Sequence, residues 1–194
     1  MFKRYIILLI LPFTFAACKH ETVFTEVKVN NRFSISVPDY LQACTDLHKD
    51  ASVQYQNTEK EVYAMVINEK KITMQNYSLD YDIDTYFNNI TSQGFAENIK
   101  DGKVSPPGRQ EIHGNKALIA DVSGKIENNE VYYKLGLIET PYEFYQILMW
   151  TSADHKDDLE PDMVKMIESF QELPHPPEEL PAPLSDSVSI APAW

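Results

Sequence analysis

The chain has 194 residues, of which 17 are Lys or Arg and 29 are Asp or Glu, for a formal charge of −12. So acidic a composition excludes nucleic acid as a partner, because phosphate contacts need clustered Lys and Arg, and its six glycines form no phosphate-cradling pattern. Two cysteines cannot staple a fold, so the 43% hydrophobic and 11% aromatic residues must build the core of one domain of ordinary size.

Residues 1–17 join a basic start, Lys3 and Arg4, to an apolar run of 11 residues from Tyr5 to Phe15. A spanning helix needs about 20 apolar residues, so this run has the proportions of a signal peptide. Phe15, three residues before Cys18, is too bulky for ordinary signal peptidase. Phe15-Ala16-Ala17-Cys18 instead resembles the bacterial lipoprotein box, in which the cysteine sulfur takes a diacylglycerol and the chain is cut just before it. An incidental Cys18, or one paired with Cys44, is the competing reading. Cleavage removes Lys3 and Arg4 but no acidic residue, leaving 15 basic against 29 acidic residues and a charge of −14. Lys19-His20-Glu21 is similar to the short export signals of some Bacteroidetes surface lipoproteins, and equally to a plain tether.

Beyond residues 18–22 the pattern alternates. Val23, Val27 and Val29 share one side, Asn30-Asn31 signals a turn, and Phe33, Ile35 and Val37 alternate up to Pro38, which predicts a hairpin. Ser52 to Asn57 and Val62 to Glu69 predict a second. In the latter strand Val62, Ala64 and Val66 oppose Tyr63, Met65 and Ile67, so both faces should be covered. From Asp82 the period becomes helical through Ile83, Tyr86, Phe87 and Ile90, with Asp82 as the cap and Gly94 as the stop. A Gly- and Pro-rich loop follows, through Lys103 to Gly108. Lys116 to Ile126, Val131 to Glu139 and Glu143 to Thr151 then predict an antiparallel meander, its last strand central because it is apolar on both faces. A closing helix is expected over Asp157 to Gln171, with Pro161 in its first turn and Met163, Met166, Ile167 and Phe170 as its stripe. Six of the 12 prolines fall in the final 21 residues, so 174–194 reads as an extended or disordered tail.

This order of elements predicts an α+β fold, an antiparallel sheet with flanking helices. Phe33-Ser34-Ile35-Ser36-Val37-Pro38, the central amphipathic helix, His113-Gly114 before the meander and Ile167-Glu168-Ser169-Phe170 together resemble the PsbP-like family over residues 23–173. That family includes extrinsic photosystem subunits, a Ran-binding transport protein and many bacterial lipoproteins. The resemblance implies an α/β/α sandwich and a binding or assembly role.

No catalytic or metal-binding spacing emerges. Asp80-Tyr81-Asp82-Ile83-Asp84 opens like a calcium loop, but Thr85 and Thr91 stand where Gly and Glu are required, so the carboxylates read as helix capping. Asp154-His155-Lys156-Asp157-Asp158 reads as a solvated helix start, and His20, His48, His113 and His175 are scattered. Ser123-Gly124 lacks a nucleophile elbow, and Cys44 reads as a partly buried structural thiol. Glu127 with Glu130, and Glu139 with Glu143, flank turns and read as wet surface charge. Tyr132, Tyr133, Tyr142, Phe144, Tyr145 and Trp150 read mainly as core, with some available to line a groove or partner surface.

The expectation is therefore a module held by Cys18 to a bacterial membrane, facing periplasm or surface, with a protein partner in the envelope and no cofactor, metal or catalytic residue. A binder of a small apolar ligand or nutrient is the alternative, and an enzyme the least favoured reading.

Overall fold

The computed structural model describes residues 21–76, 79, 81–95 and 99–174. The expected leader 1–17, the expected lipid site Cys18 and the expected tail beyond Pro174 lie outside the described residues.

The first hairpin joins β1 (Phe24–Val29) to β2 (Phe33–Pro38). Asn30 and Asn31 both take positive φ, 50° and 54°, and Arg32 N–H donates to Val29 O. Asparagine tolerates this left-handed backbone, which matches the twist of the flanking strands. Val27 and Val29 face inward, whereas Val23 is 57% exposed and does not join them. A short β3 (Gln42–Ala43) precedes the second hairpin, β4 (Val53–Asn57) and β5 (Val62–Lys70). One turn of helix, α1 (Lys71–Asn76), leads towards α2 (Ile83–Asn89). Asp82 caps α2 by accepting from Thr85 N–H at 2.8 Å, and Ile83, Tyr86 and Phe87 are buried. Gly94 does not stop this helix. It falls inside a π-helical turn, Ile90–Phe95, that extends it.

The Gly- and Pro-rich stretch is not a loop. It holds β6 (Lys100–Val104) and β7 (Gly108–Ile112), both paired to β8 (Asn115–Ile126), with only Ser105-Pro106-Pro107 between them. These strands are nearly all exposed, so no alternation marked them; backbone pairing to a long neighbour forms them. Ser105 bridges the break, its N–H donating to Asp121 O and its Oγ accepting Asp121 N–H, each at 2.9 Å. The meander continues through β9 (Asn129–Glu139) and β10 (Glu143–Ser152). Glu127 and Asn128 make the β8–β9 turn, again at positive φ.

The main sheet is antiparallel in the order β3-β4-β5-β10-β9-β8-β6, with β7 also on β8, so β10 is central as its two apolar faces require. After a 3₁₀ turn, Ala153–His155, α3 (Lys156–Glu168) packs on one face through Leu159, Met163, Met166 and Ile167, followed by Phe170. Pro161 lies in its interior, beyond the first turn, on the exposed side. Its ring removes one internal hydrogen bond, a loss the packed stripe outweighs. The same face carries a small sheet, β1-β2-β11 (β11 being Gln171–Glu172), whose Phe33 meets Tyr145 and Phe170 at ring distances of 5.3 and 5.6 Å. On the opposite face α2 covers Leu118, Ala120, Leu135, Leu137 and Phe144. That is the expected α/β/α sandwich.

One expectation fails usefully here. The Val62, Ala64 and Val66 face of β5 is fully buried, but Tyr63, Met65 and Ile67 are only half-buried, because α2 lies over β8 and β9.

Candidate functional site

The face beyond α2 bears a row of stacked rings. Trp150 on β10 is directly opposite Tyr63 on β5 and Tyr133 on β9. Its ring lies 5.3 Å from Tyr63 at 16° and 5.8 Å from Tyr133 at 21°. Phe95, from the π-helical turn, meets the inner end of the row edge-on to Tyr133 at 5.7 Å. Tyr133 is buried, and burial pushes its hydroxyl up to about 12. Trp150 and Tyr63 remain half-exposed. The long β8–β9 hairpin runs past the ends of β5 and β10, leaving an open groove of about 770 Å³. Ile126, Val131, Trp150 and Tyr63 line it, with Glu61, Glu127, Glu130 and Asp154 around them. Glu127 and Glu130 are thus exposed, as the turn position implied, but they belong to a concavity and not to a featureless surface. Of the aromatic residues expected in the core, Tyr132, Tyr133, Phe144 and Tyr145 are buried, while Tyr142 is 45% exposed.

Two charged clusters lie elsewhere. Glu139 and Glu143 are not wet surface charge. Glu143 is 1% exposed, pairs with Arg32 from the first hairpin, and accepts from Asn68 Nδ2 at 2.5 Å. Glu139 is largely buried against Lys71 Nζ at 2.7 Å, with Lys116 at 3.7 Å. A cavity of about 170 Å³ adjoins this cluster, lined by Arg32, Lys70, Lys71 and Tyr142. The turn Thr140-Pro141-Tyr142 is folded under the first hairpin, a long-range placement that local sequence cannot reveal.

Lys134 escaped sequence reasoning altogether. It is 6% exposed on the α3 face of β9, bonded to Asp121 and, at 2.5 Å, to Glu160 Oε1 of α3. The Tyr132 hydroxyl lies 2.9 Å from Asp121 and 3.0 Å from Glu160. Burial works against the charges of Lys134 and Asp121, but their mutual bonds outweigh it, so the ammonium is held above and the carboxyl below its ordinary value. The bond from Lys134 likewise holds Glu160 low. A lysine locked in this charged state is no nucleophile; it fastens helix to sheet. The usable signal is that Asp121 and Lys134 interrupt the apolar runs Ala117–Val122 and Val131–Ile138.

The remaining candidates are dispersed. Of the calcium-like carboxylates, Asp82 caps α2 and Asp84 is held by Arg109, while Asp80 lies outside the described residues. His155 Nδ1 donates to Lys60 O at 3.3 Å, in keeping with a solvated entry to α3. Cys44 is half-buried, and burial together with Asp46 pushes its thiol up, away from the reactive thiolate. Among the described residues no group of three or more His, Cys, Asp or Glu could hold a metal, and no helix is long and apolar enough to cross a membrane.

A large antiparallel sheet between α2 and α3, closed by a terminal three-stranded sheet, defines a PsbP-like fold. The chain superposes on cyanobacterial PsbP (CyanoP) from Synechocystis sp. PCC 6803 with a TM-score of 0.59 at 9% identity, covering 83% of this chain and 99% of that one. It superposes on LpqN of Mycobacterium tuberculosis, a protein involved in cell envelope biogenesis, with a TM-score of 0.55 at 14% identity, covering 79% and 92% respectively. No protein-family model and no curated protein matches the sequence. At these identities the likeness establishes the fold.

Proposed function

We propose that this chain is a lipid-anchored protein of the bacterial envelope, attached through Cys18, that acts as a protein-interaction or scaffold module and not as an enzyme. The carrying observation is the half-exposed Tyr63–Trp150 stack in an open groove that no helix covers among the described residues. Exposed aromatic residues beside a concavity are the common anchors of protein interfaces. The leader Phe15-Ala16-Ala17-Cys18 supports the anchor, since each buried acyl methylene adds about 0.8 kcal/mol of membrane affinity. The envelope role of LpqN, which shares the fold, supports the compartment. The acidic lining of the groove disfavours the alternative, a small apolar ligand or nutrient.

Two measurements test the reading. Fatty-acid labelling in cells should be lost in Cys18→Ser, and unchanged labelling would refute the anchor. Crosslinking in an envelope fraction should recover a specific protein partner; recovery of none counts against an interaction module.

A further inference from the structure

We infer that the groove beside Trp150 is a docking site for a basic segment of a partner polypeptide, with an Arg or Lys side chain laid over the Tyr63–Trp150 stack and flanked by Glu61, Glu127, Glu130 and Asp154. This rests on the interaction reading above and names the chemistry of the partner.

Three observations converge. The ring row offers π-faces, and Trp150 stays half-exposed although its neighbour Tyr133 is buried. Indole is the strongest ring partner for a cation, and guanidinium stacks on it as well as pairing with carboxylates. Four carboxylates line the groove, and among the described residues no Lys, Arg or His does. Among the described residues only Glu130 of these four has a basic neighbour in an ion pair, Lys125 at 3.6 Å, and both members are exposed enough to exchange partners. A cation arriving there relieves repulsion among four like charges and gains the aromatic faces, a complementarity that also speeds encounter.

Shape favours a polypeptide as the occupant. The groove runs along the open end of the sheet between the Ile126–Glu130 turn and the Thr151–Asp154 segment, and among the described residues no element roofs it to enclose a free small molecule. The tail of this chain is a poor occupant, because beyond Pro174 its charged side chains are Glu178, Glu179 and Asp186, with His175 the one ionisable base.

The test uses the full chain in detergent and a fluorescein-labelled peptide of four arginines spaced by serines, read by anisotropy at low and physiological salt. Saturable binding is expected. Glu127→Gln with Glu130→Gln should weaken it roughly tenfold, and Trp150→Leu by roughly threefold to thirtyfold. Glu127 and Glu130 are exposed and Trp150 is partly buried, and thermal unfolding checks that each variant folds. Glu26→Gln with Glu111→Gln removes the same charge at exposed sites outside the groove and should leave binding within about twofold at physiological salt, where distant charges are screened. Equal loss in the two double variants would mean that net charge alone binds the peptide, and would overturn the assignment. Absence of saturable binding would overturn it too, as would spermine binding as tightly as the peptide, which would make a free polyamine the occupant. Either failure leaves the envelope crosslinking result standing on its own, so the two readings fail separately.

Discussion

Lys134 of β9 reaches Glu160 of α3 with its Nζ 2.5 Å from Oε1, and the same ammonium is bonded to Asp121 of the adjacent strand β8. One buried cation thus joins two sheet strands to the helix that covers them. Asp121 and Lys134 are direct cross-strand partners, so the register of the meander places the charges together.

Lys134→Ala would leave two carboxylates facing each other beneath α3. Because Asp121 and Glu160 keep about a third of their side-chain exposure, water recovers part of the loss. Destabilisation of about 2 kcal/mol is expected in urea unfolding. A change within 0.5 kcal/mol would show that the cluster contributes nothing net.

Acid should weaken the fold through the same cluster. Asp121 and Glu160 titrate lower in the folded chain than in the unfolded one, so their stabilisation is complete above the unfolded values near pH 4 and vanishes as pH falls through the folded ones. Lys134 works in the other sense. Its raised value gives stabilisation that is full below about pH 10 and is lost as pH rises through the folded value. Asp121→Asn should therefore flatten the acid limb of a stability–pH curve; an unchanged limb would assign it to other groups.

Gly136 sits where α3 meets β9. A Cβ built there would fall 2.5 Å from Ile167 Cγ2, closer than atoms approach, in a fully buried contact. Gly136→Ala should cost about 1–3 kcal/mol through overpacking, and Ile167→Ala, which removes the clashing Cγ2, should cost less in that background than it does alone. Additive losses in the double mutant would mean the two positions do not compete for space.

Arg32 and Glu143 are unequal partners, because the arginine is 24% exposed and the carboxylate 2%. Arg32→Ala removes the cation paired with a buried carboxylate that also accepts from Asn68, and should cost about 3 kcal/mol. Adding Glu143→Gln should restore stability, since a neutral amide tolerates that site. If the second change made matters worse, the buried carboxylate would not be the source of the loss.

Much of the fold was legible because periodicity is a local property. Val29, Phe33, Ile35 and Val37 named the first hairpin, Ile83 to Phe87 the helix with Asp82 at its head, and Met163, Met166, Ile167 and Phe170 the closing stripe. The double apolar face of Phe144 to Trp150 even placed β10 at the centre of the sheet. β6 and β7 were invisible because exposed strands at a sheet edge carry no pattern. Gly94 was misjudged because the turns of a π-helical extension obey no simple stop rule.

Taken by itself, the sequence determined the charge and the apolar faces that must meet. Only the tertiary structure decided which carboxylates are buried and which rings stay uncovered. Glu143 and Glu130 both neighbour turns in the chain, yet one is sealed against Arg32 and the other rims an open groove. Whether Trp150 belonged to core or surface depended on which strands α2 lies over, and those are β8 and β9. Burial depends on which distant segment arrives to cover a side chain, and no local pattern of residues carries that information.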